Sequence, residues 1–251
     1  MKRLVIALIG LLSATAVALA GTDSACDVAA QHARVDFSLP HVARAIANKN
    51  LDIVVIGSAS SSLVDSAGVK KAYPAKMEAV LASKLPGVTV RVQTLARPRE
   101  TAAEMDRVLP QLLAGSKPAL TIWQTGTVEA MRRTDIDDFR STLDDGIDRV
   151  KAASSDVMLM NPQYSPRTEL MMDAPQYADA MRIVALQHEI PLFDRFAIMK
   201  HWGELGTFDL NEVTKKIDMA AKVHSCIGVL MAGMILDGAN LPAAPTKGNN
   251  Q

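Results

Sequence analysis

The sequence predicts an α/β protein, a three-layer α/β/α sandwich around a five-stranded parallel sheet. Two observations carry this reading. Short apolar runs rich in β-branched residues alternate with longer stretches whose apolar residues recur at three- and four-residue spacing. Glycine or proline (Gly87, Gly115, Pro191) punctuates the junctions. Repeated strand–helix units imply parallel pairing through right-handed crossovers, with helices on both faces of the sheet.

In chain order, the segment Ala25 to Asn48 precedes the first strand and includes one helix, His41 to Ala47. Asp52 to Ile56 is the first strand, apolar enough to be buried on both faces. Val88 to Leu95, Ala119 to Trp123, Val157 to Asn161 and the short Pro191 to Phe193 are the other four. The helices between them are Tyr73 to Leu85, Arg99 to Leu113, Ile136 to Ala153 and Gln176 to Glu189; in the first, Met77, Val80, Leu81 and Leu85 share one side. The last helical region starts near Leu210 and runs past Ile235, with a break expected around Ser225 to Gly228.

The ends of the chain speak about location. Lys2-Arg3, an apolar run from Leu4 to Leu19 and the small-x-small triplet Ala18-Leu19-Ala20 read as a signal peptide over residues 1–20. It is too short for a convincing membrane span, and Asp23 upstream of Cys26 spoils a lipid-anchor motif. A periplasmic or secreted protein with no stable membrane anchor after cleavage follows. Residues 21–240 read as one domain and residues 241–251 as a flexible tail. Losing Lys2 and Arg3 from 27 basic and 27 acidic residues leaves 25 against 27, a net charge of −2. That speaks against a nucleic-acid partner, which needs a basic stripe. Two cysteines in an exported chain make one disulfide, Cys26–Cys226, the default; two buried free thiols are the alternative. Oligomeric state is not legible.

The feature with most chemical promise is the turn Gly57-Ser58-Ala59-Ser60-Ser61 after the first strand. It is either a solvated loop or a device that holds a hydroxyl at the carboxyl edge of the sheet, where open α/β folds bind substrates. The five histidines show no tight metal-ligand spacing with a carboxylate, so neither a metal site nor a cofactor is expected.

Several blocks, in this order, resemble the SGNH (GDSL-type) hydrolase superfamily, within it a secreted bacterial group with degenerate motifs. They are Val54-Val55-Ile56-Gly57-Ser58-Ala59-Ser60-Ser61, Tyr73-Pro74-Ala75-Lys76, Leu85-Pro86-Gly87-Val88, Trp123-Gln124-Thr125-Gly126-Thr127, Leu159-Met160-Asn161-Pro162-Gln163-Tyr164, Pro191-Leu192-Phe193 and Val223-His224. The resemblance implies a flavodoxin-like sandwich and ester hydrolysis, often deacetylation of carbohydrates, by a serine nucleophile and a histidine base. Carried over, the catalytic pair is Ser60 and His224, with Ser58 and Ser61 as lesser nucleophile candidates. Gly57, Ser61, Gly126 and Thr127 form the oxyanion turn region. Asn161, Gln163, Tyr164 and Arg97 lie where an acylated carbohydrate or small ester would bind; Asn161, Gln163 and Tyr164 read equally well as loop-packing residues.

The chain also departs from the superfamily pattern. Read strictly, the nucleophile position falls on Ala59, the oxyanion asparagine on Val128 and the aspartate that orients the histidine on Ala221. Asp218, six residues before His224, lies on another face of a continuous helix. A Ser-His dyad is therefore the expected machinery. After the second strand, Arg97-Pro98-Arg99 stands where a glycine belongs; it binds a carboxylate or oxyanion directly, or is a solvated basic loop. Three functions fit: an esterase, a non-catalytic glycan- or protein-binding module, and an acyltransferase on the same scaffold.

Overall fold

The computed structural model describes residues 26–28, 30–63, 66–211 and 217–242. The chain runs α1 (Pro40–Ala47), β1 (Asn50–Gly57), α2 (Ser66–Lys71), α3 (Tyr73–Lys84), β2 (Thr89–Ala96), α4 (Ala102–Ser116), β3 (Leu120–Gln124) and α5 (Thr127–Arg132). It continues through α6 (Ile136–Ala152), β4 (Asp156–Met160), α7 (Pro166–Met171), α8 (Ala174–Gln187), β5 (Leu192–Phe193), α9 (Arg195–Glu204) and α10 (Ile217–Asn240). The five strands form one sheet in the order β2-β1-β3-β4-β5, every neighbouring pair parallel. This is the expected five-stranded α/β/α sandwich, with each predicted strand in place.

The order of the strands positions the site. The chain winds to one side from β1 to β2, then crosses back to β3, so β1 and β3 flank the topological switch point. Their carboxyl ends, Gly57 and Gln124, open onto the crevice where such sheets bind ligands. β1 is buried on both faces, with Leu51, Ile53, Val54, Val55 and Ile56 almost wholly enclosed, as its unbroken apolar run predicts. β2, at the edge, is only half-buried.

Helix boundaries follow their caps. α4 begins at Ala102, not at Arg99, because Thr101 and Glu104 form a reciprocal capping box there. Asp135, Asp173 and Asp194 likewise accept from the first-turn N–H groups of α6, α8 and α9. The short α2, α5 and α7, six residues each, are too brief to show a helical period in the sequence, and α9 mixes polar and apolar residues around its circumference.

The expected break in the last helix does not occur. α10 runs unbroken through Ser225 to Gly228. Gly228 is there for close approach: a Cβ on it would lie 2.6 Å from the Lys76 Cβ and 2.9 Å from the Met77 nitrogen on α3. The expected helical start near Leu210 leads into residues 212–216, outside the described residues. So do the leader over residues 1–20 and most of the tail.

Cys26 and Cys226 are bridged across 200 positions of sequence. The Trp202 indole N–H also donates to the Asp27 carbonyl at 3.1 Å, so the N-terminal segment is fastened to both α10 and α9. Cys226→Ser is expected to lower the unfolding free energy by about 3–5 kcal/mol, the loop-entropy value for so long a loop, about 5 kcal/mol, being the upper end. Urea denaturation of the oxidised protein and the variant measures it; equal midpoints would show that the bridge contributes nothing.

Candidate active site

The serine turn is built from β1 and β3 together. Ala59–Ser61 forms a single 3-10 turn, closed by the Ser61 N–H on the Ser58 carbonyl at 2.9 Å. The side chain of Gln124 reaches across from β3, and its Oε1 accepts three hydrogen bonds. These come from the Ser58 N–H at 3.0 Å, the Ser58 hydroxyl at 3.3 Å and the Ser61 hydroxyl at 2.8 Å. Ser61 Oγ also meets the Tyr73 hydroxyl at 3.0 Å. Gly57 makes room for this: a Cβ there would fall 2.4 Å from Ser61 Oγ and 2.8 Å from Gln124 Oε1. Ser58 and Ser61 are buried and spent on the scaffold, whereas Ala59 is exposed and Ser60 partly so. The Ala59 and Ser60 N–H groups, at the open start of the turn, have no acceptor among the described residues.

Beneath Ser60 lies Arg195, the first residue of α9, only 1% exposed. Its Nη1 donates to Ser60 Oγ at 3.3 Å. Its Nε and Nη2 are buried without a partner among the described residues. Burial pulls its pKa down to about 10, against a smaller opposing pull from Tyr73, so the guanidinium stays charged at neutral pH. Burial holds the Tyr73 phenol neutral, its pKa pushed up to about 12. A buried cation with no carboxylate partner among the described residues is an electrostatic demand for an anion.

His224 is buried on α10, one turn before Gly228. Its Nδ1 accepts the Tyr73 backbone N–H at 3.0 Å. Tyr73 opens α3, and its N–H is one of the donors a helix start leaves without an internal partner. An N–H can only meet a lone pair, so Nδ1 is unprotonated and the ring proton of the neutral form sits on Nε2. Burial first, and then the Arg195 charge, lower the His224 pKa to about 4. The ring is neutral under ordinary conditions. The hydrogen bonds of the described residues do not join His224 to any of the three serines.

The other predicted site residues divide. The Gly126 N–H donates to the buried Glu129 carboxylate at 2.8 Å, which also accepts from the Thr125 hydroxyl and the Ala102 N–H. Glu129 thereby ties the turn after β3 to the start of α4. Thr127 Oγ1 is buried without a partner among the described residues. Asn161 is fully buried; it donates to Asp194 at 2.7 Å and accepts the Phe196 N–H at 2.9 Å, a strut between β4 and α9. Tyr164 is 7% exposed and edge-on to Phe196, so its ring is packing and offers no open face to a sugar. Gln163 is half-buried, and Arg97 is exposed and paired with Glu100 at 3.2 Å. Asp218 is exposed, 3.7 Å from Lys71. Sequence reasoning missed Arg195 and Glu129 outright. For Arg195 the available signal was a charged pair, Asp194-Arg195, directly after the carboxyl end of a strand.

The sequence profile of the Non-GDSL lipase-like family matches residues 25–241. The chain belongs to this family. Solved structures of low sequence identity share its fold. It is similar to TesA (20% identity, TM-score 0.56), covering 72% of this chain and 97% of that one. It is similar to a lipase/acylhydrolase from Enterococcus faecalis (17%, TM-score 0.59), covering 72% and 93%. A catalytic mutant of Axe2, an acetylxylan esterase from Geobacillus stearothermophilus, is 14% identical with a TM-score of 0.59, covering 76% and 95%. No curated protein matches the chain.

His224→Asn places an amide oxygen where Nδ1 stands and keeps the Tyr73 N–H satisfied, whereas His224→Ala strands it and is expected to cost about 1–3 kcal/mol. The histidine's folded pKa, about 4, lies below its ordinary 6.5. As pH falls below 6.5 the unfolded chain takes a proton that the folded chain refuses. The histidine's contribution is thus complete above that pH and lost progressively down to about 4. Asp156 acts the other way: burial raises its folded pKa from 3.8 to about 6, so its contribution is present below 3.8 and is lost as pH rises through 6. Comparing wild type with His224→Asn cancels that term. Between pH 6.5 and 4 the wild type is expected to lose on the order of 3 kcal/mol relative to the variant. Parallel denaturation profiles would contradict a buried neutral ring.

Proposed function

We propose that this family member is a serine ester hydrolase with Ser60 as its nucleophile. The observation that carries the reading is the contact between a partly exposed Ser60 hydroxyl and the buried Arg195 guanidinium at the switch point of the sheet. The other two serines of the turn are committed to Gln124. Ser60 Oγ attacks the acyl carbon, and the carbonyl electron pair moves onto its oxygen. The alcohol then leaves with a proton, and water releases the acid from the acyl-serine. The Ala59 and Ser60 N–H groups, without an acceptor among the described residues, receive the oxyanion, and Arg195 stabilises negative charge on the attacking oxygen. In this scheme His224 is the base of the dyad. It has the right charge state, neutral, but its basic lone pair at Nδ1 must first be released by the Tyr73 N–H.

The substrate proposed is an acyl ester, such as an acetyl ester, on a carbohydrate or glycoconjugate. Fold similarity to an acetylxylan esterase supports that class. The apolar leader and the single disulfide support a periplasmic or secreted location.

A second reading, a non-catalytic binding module on the same fold, is favoured by His224 itself: a ring that caps a helix with Nδ1 and carries its proton on Nε2 is not poised to deprotonate a serine. One experiment separates them. A fluorophosphonate is expected to label Ser60, identified by peptide mass spectrometry, and Ser60→Ala to abolish labelling. His224→Asn, which preserves the cap, is expected to slow labelling roughly 100-fold or more. Absence of labelling and of aryl-acetate turnover from pH 5 to 9, beside a control esterase that reacts, would leave the binding module.

A further inference from the structure

Beside the serine turn, on the same edge of the sheet, lies a second cleft of about 480 Å³ that the proposed chemistry does not use. It is lined by Arg97, Arg99, Glu100, Glu104, Arg107 and Arg132, four guanidiniums against two carboxylates. β1 and β2 pair to their last residues, Gly57 opposite Ala96, and the Arg97 N–H donates to the Gly57 carbonyl at 3.0 Å. The cleft therefore opens one residue beyond the point at which the serine turn itself begins.

Its charges are unevenly committed. Glu104 is occupied by the N-terminus of α4, accepting from the Thr101 N–H at 2.7 Å and hydroxyl at 2.9 Å. Arg132 holds the loop from α5, donating to the Arg99 carbonyl at 2.9 Å. Arg99 and Arg107 are exposed; among the described residues neither is ion-paired, and the only hydrogen bond made by either guanidinium is from Arg107 Nε to the Ala103 carbonyl at 3.3 Å. Glu100 is the decisive residue. It is 9% exposed, its Oε1 takes the Arg97 guanidinium at 3.2 Å, and its Oε2 is buried without a donor among the described residues. A buried carboxylate oxygen that lacks a donor costs free energy until one arrives.

We infer that this cleft is a binding subsite for an acidic carbohydrate, with a carboxylated sugar as its ligand. The sugar's carboxylate pairs with Arg99 and Arg107, and a neighbouring ring hydroxyl donates to Glu100 Oε2 once the exposed Arg97 side chain swings aside and uncovers that enclosed oxygen. Guanidiniums recognise carboxylates through paired N–H groups, and a hydroxyl is the ligand group that supplies the donor Glu100 lacks. A simple anion satisfies the arginines and leaves Glu100 unmet. A neutral sugar does the reverse. The subsite stands whether or not Ser60 hydrolyses an ester.

The test is calorimetric titration of the full mature chain carrying Ser60→Ala, so that no turnover intervenes. The probes are trigalacturonate, neutral galactotriose and inorganic sulfate. Trigalacturonate is expected to bind at least tenfold more tightly than either of the others. Arg99→Ala and Arg107→Ala, at exposed positions that leave the fold intact, are each expected to weaken it about fivefold or more. Glu100→Gln separates a built site from mere positive charge. A patch that attracts by charge alone binds more tightly once a carboxylate is removed, whereas a site that uses Oε2 as an acceptor binds more weakly. Equal binding of galactotriose or sulfate, indifference to the arginine substitutions, or tightening in Glu100→Gln would each overturn the inference.

Discussion

The carbonyl oxygen of Gln124 holds the site together. It accepts three hydrogen bonds from the turn that ends the neighbouring strand, and so ties both Ser58 and Ser61 to β3. Because those two hydroxyls point inward, Ser60 is the one left facing outward. The same clamp forces glycine at position 57, since any Cβ would occupy the space of the Ser61 hydroxyl. Ser61 then passes the constraint to the Tyr73 hydroxyl, and the Tyr73 backbone passes it to His224. A chain of hydrogen bonds thus runs from β3 through β1 and α3 to α10, and each link uses a donor or acceptor that would otherwise be stranded in the interior.

Close packing makes the last link possible. α10 can bring His224 to the start of α3 only because Gly228, four residues on and on the same face, lets the two helices approach backbone to backbone. The bridge from Cys226 to Cys26 adds a covalent tie two residues beyond the histidine. One helix therefore carries a cap, a close-approach glycine and a staple within five residues. That concentration explains why it continues through a segment whose composition suggests a break.

Much of this was legible in the sequence. All five strands were, because buried parallel strands announce themselves as short β-branched runs, and the turn after β1 was, because only small residues suit it. The helices α5 and α7 were not, being too short for a period, and α10 was misread because a packing glycine and a breaking glycine look alike in one dimension. For Tyr164 and Asn161 the place after β4 leaves substrate contact and loop packing equally open; the first is core packing and the second a strut. Arg195 and Glu129 escaped altogether. Burial of a charge is a property of the assembled fold: the place of Asp194-Arg195 after β5 marks the pair as near the site, but nothing in the sequence marks either Arg195 or Glu129 as buried.

The tension left in the site is a competition for one lone pair. Capping α3 requires the lone pair on His224 Nδ1, and a neutral imidazole has one lone-pair nitrogen, so a ring that takes the Ser60 proton on either nitrogen gives up the cap. Burial and the Arg195 charge favour the neutral ring, which suits either role, so protonation state does not choose between them. Arg195 does bear on the choice. A cation beside Ser60 lowers the energy of an alkoxide there, yet the same cation resists a proton arriving on a neighbouring imidazole. If the ester is cleaved, the anionic transition state must offset that repulsion, because it brings to Arg195 the negative charge that the resting site lacks. The histidine can then leave its cap only when substrate is bound. Catalysis in this chain would thus be coupled to release of the α3 N-terminus, a cost that a dyad oriented by an aspartate does not bear.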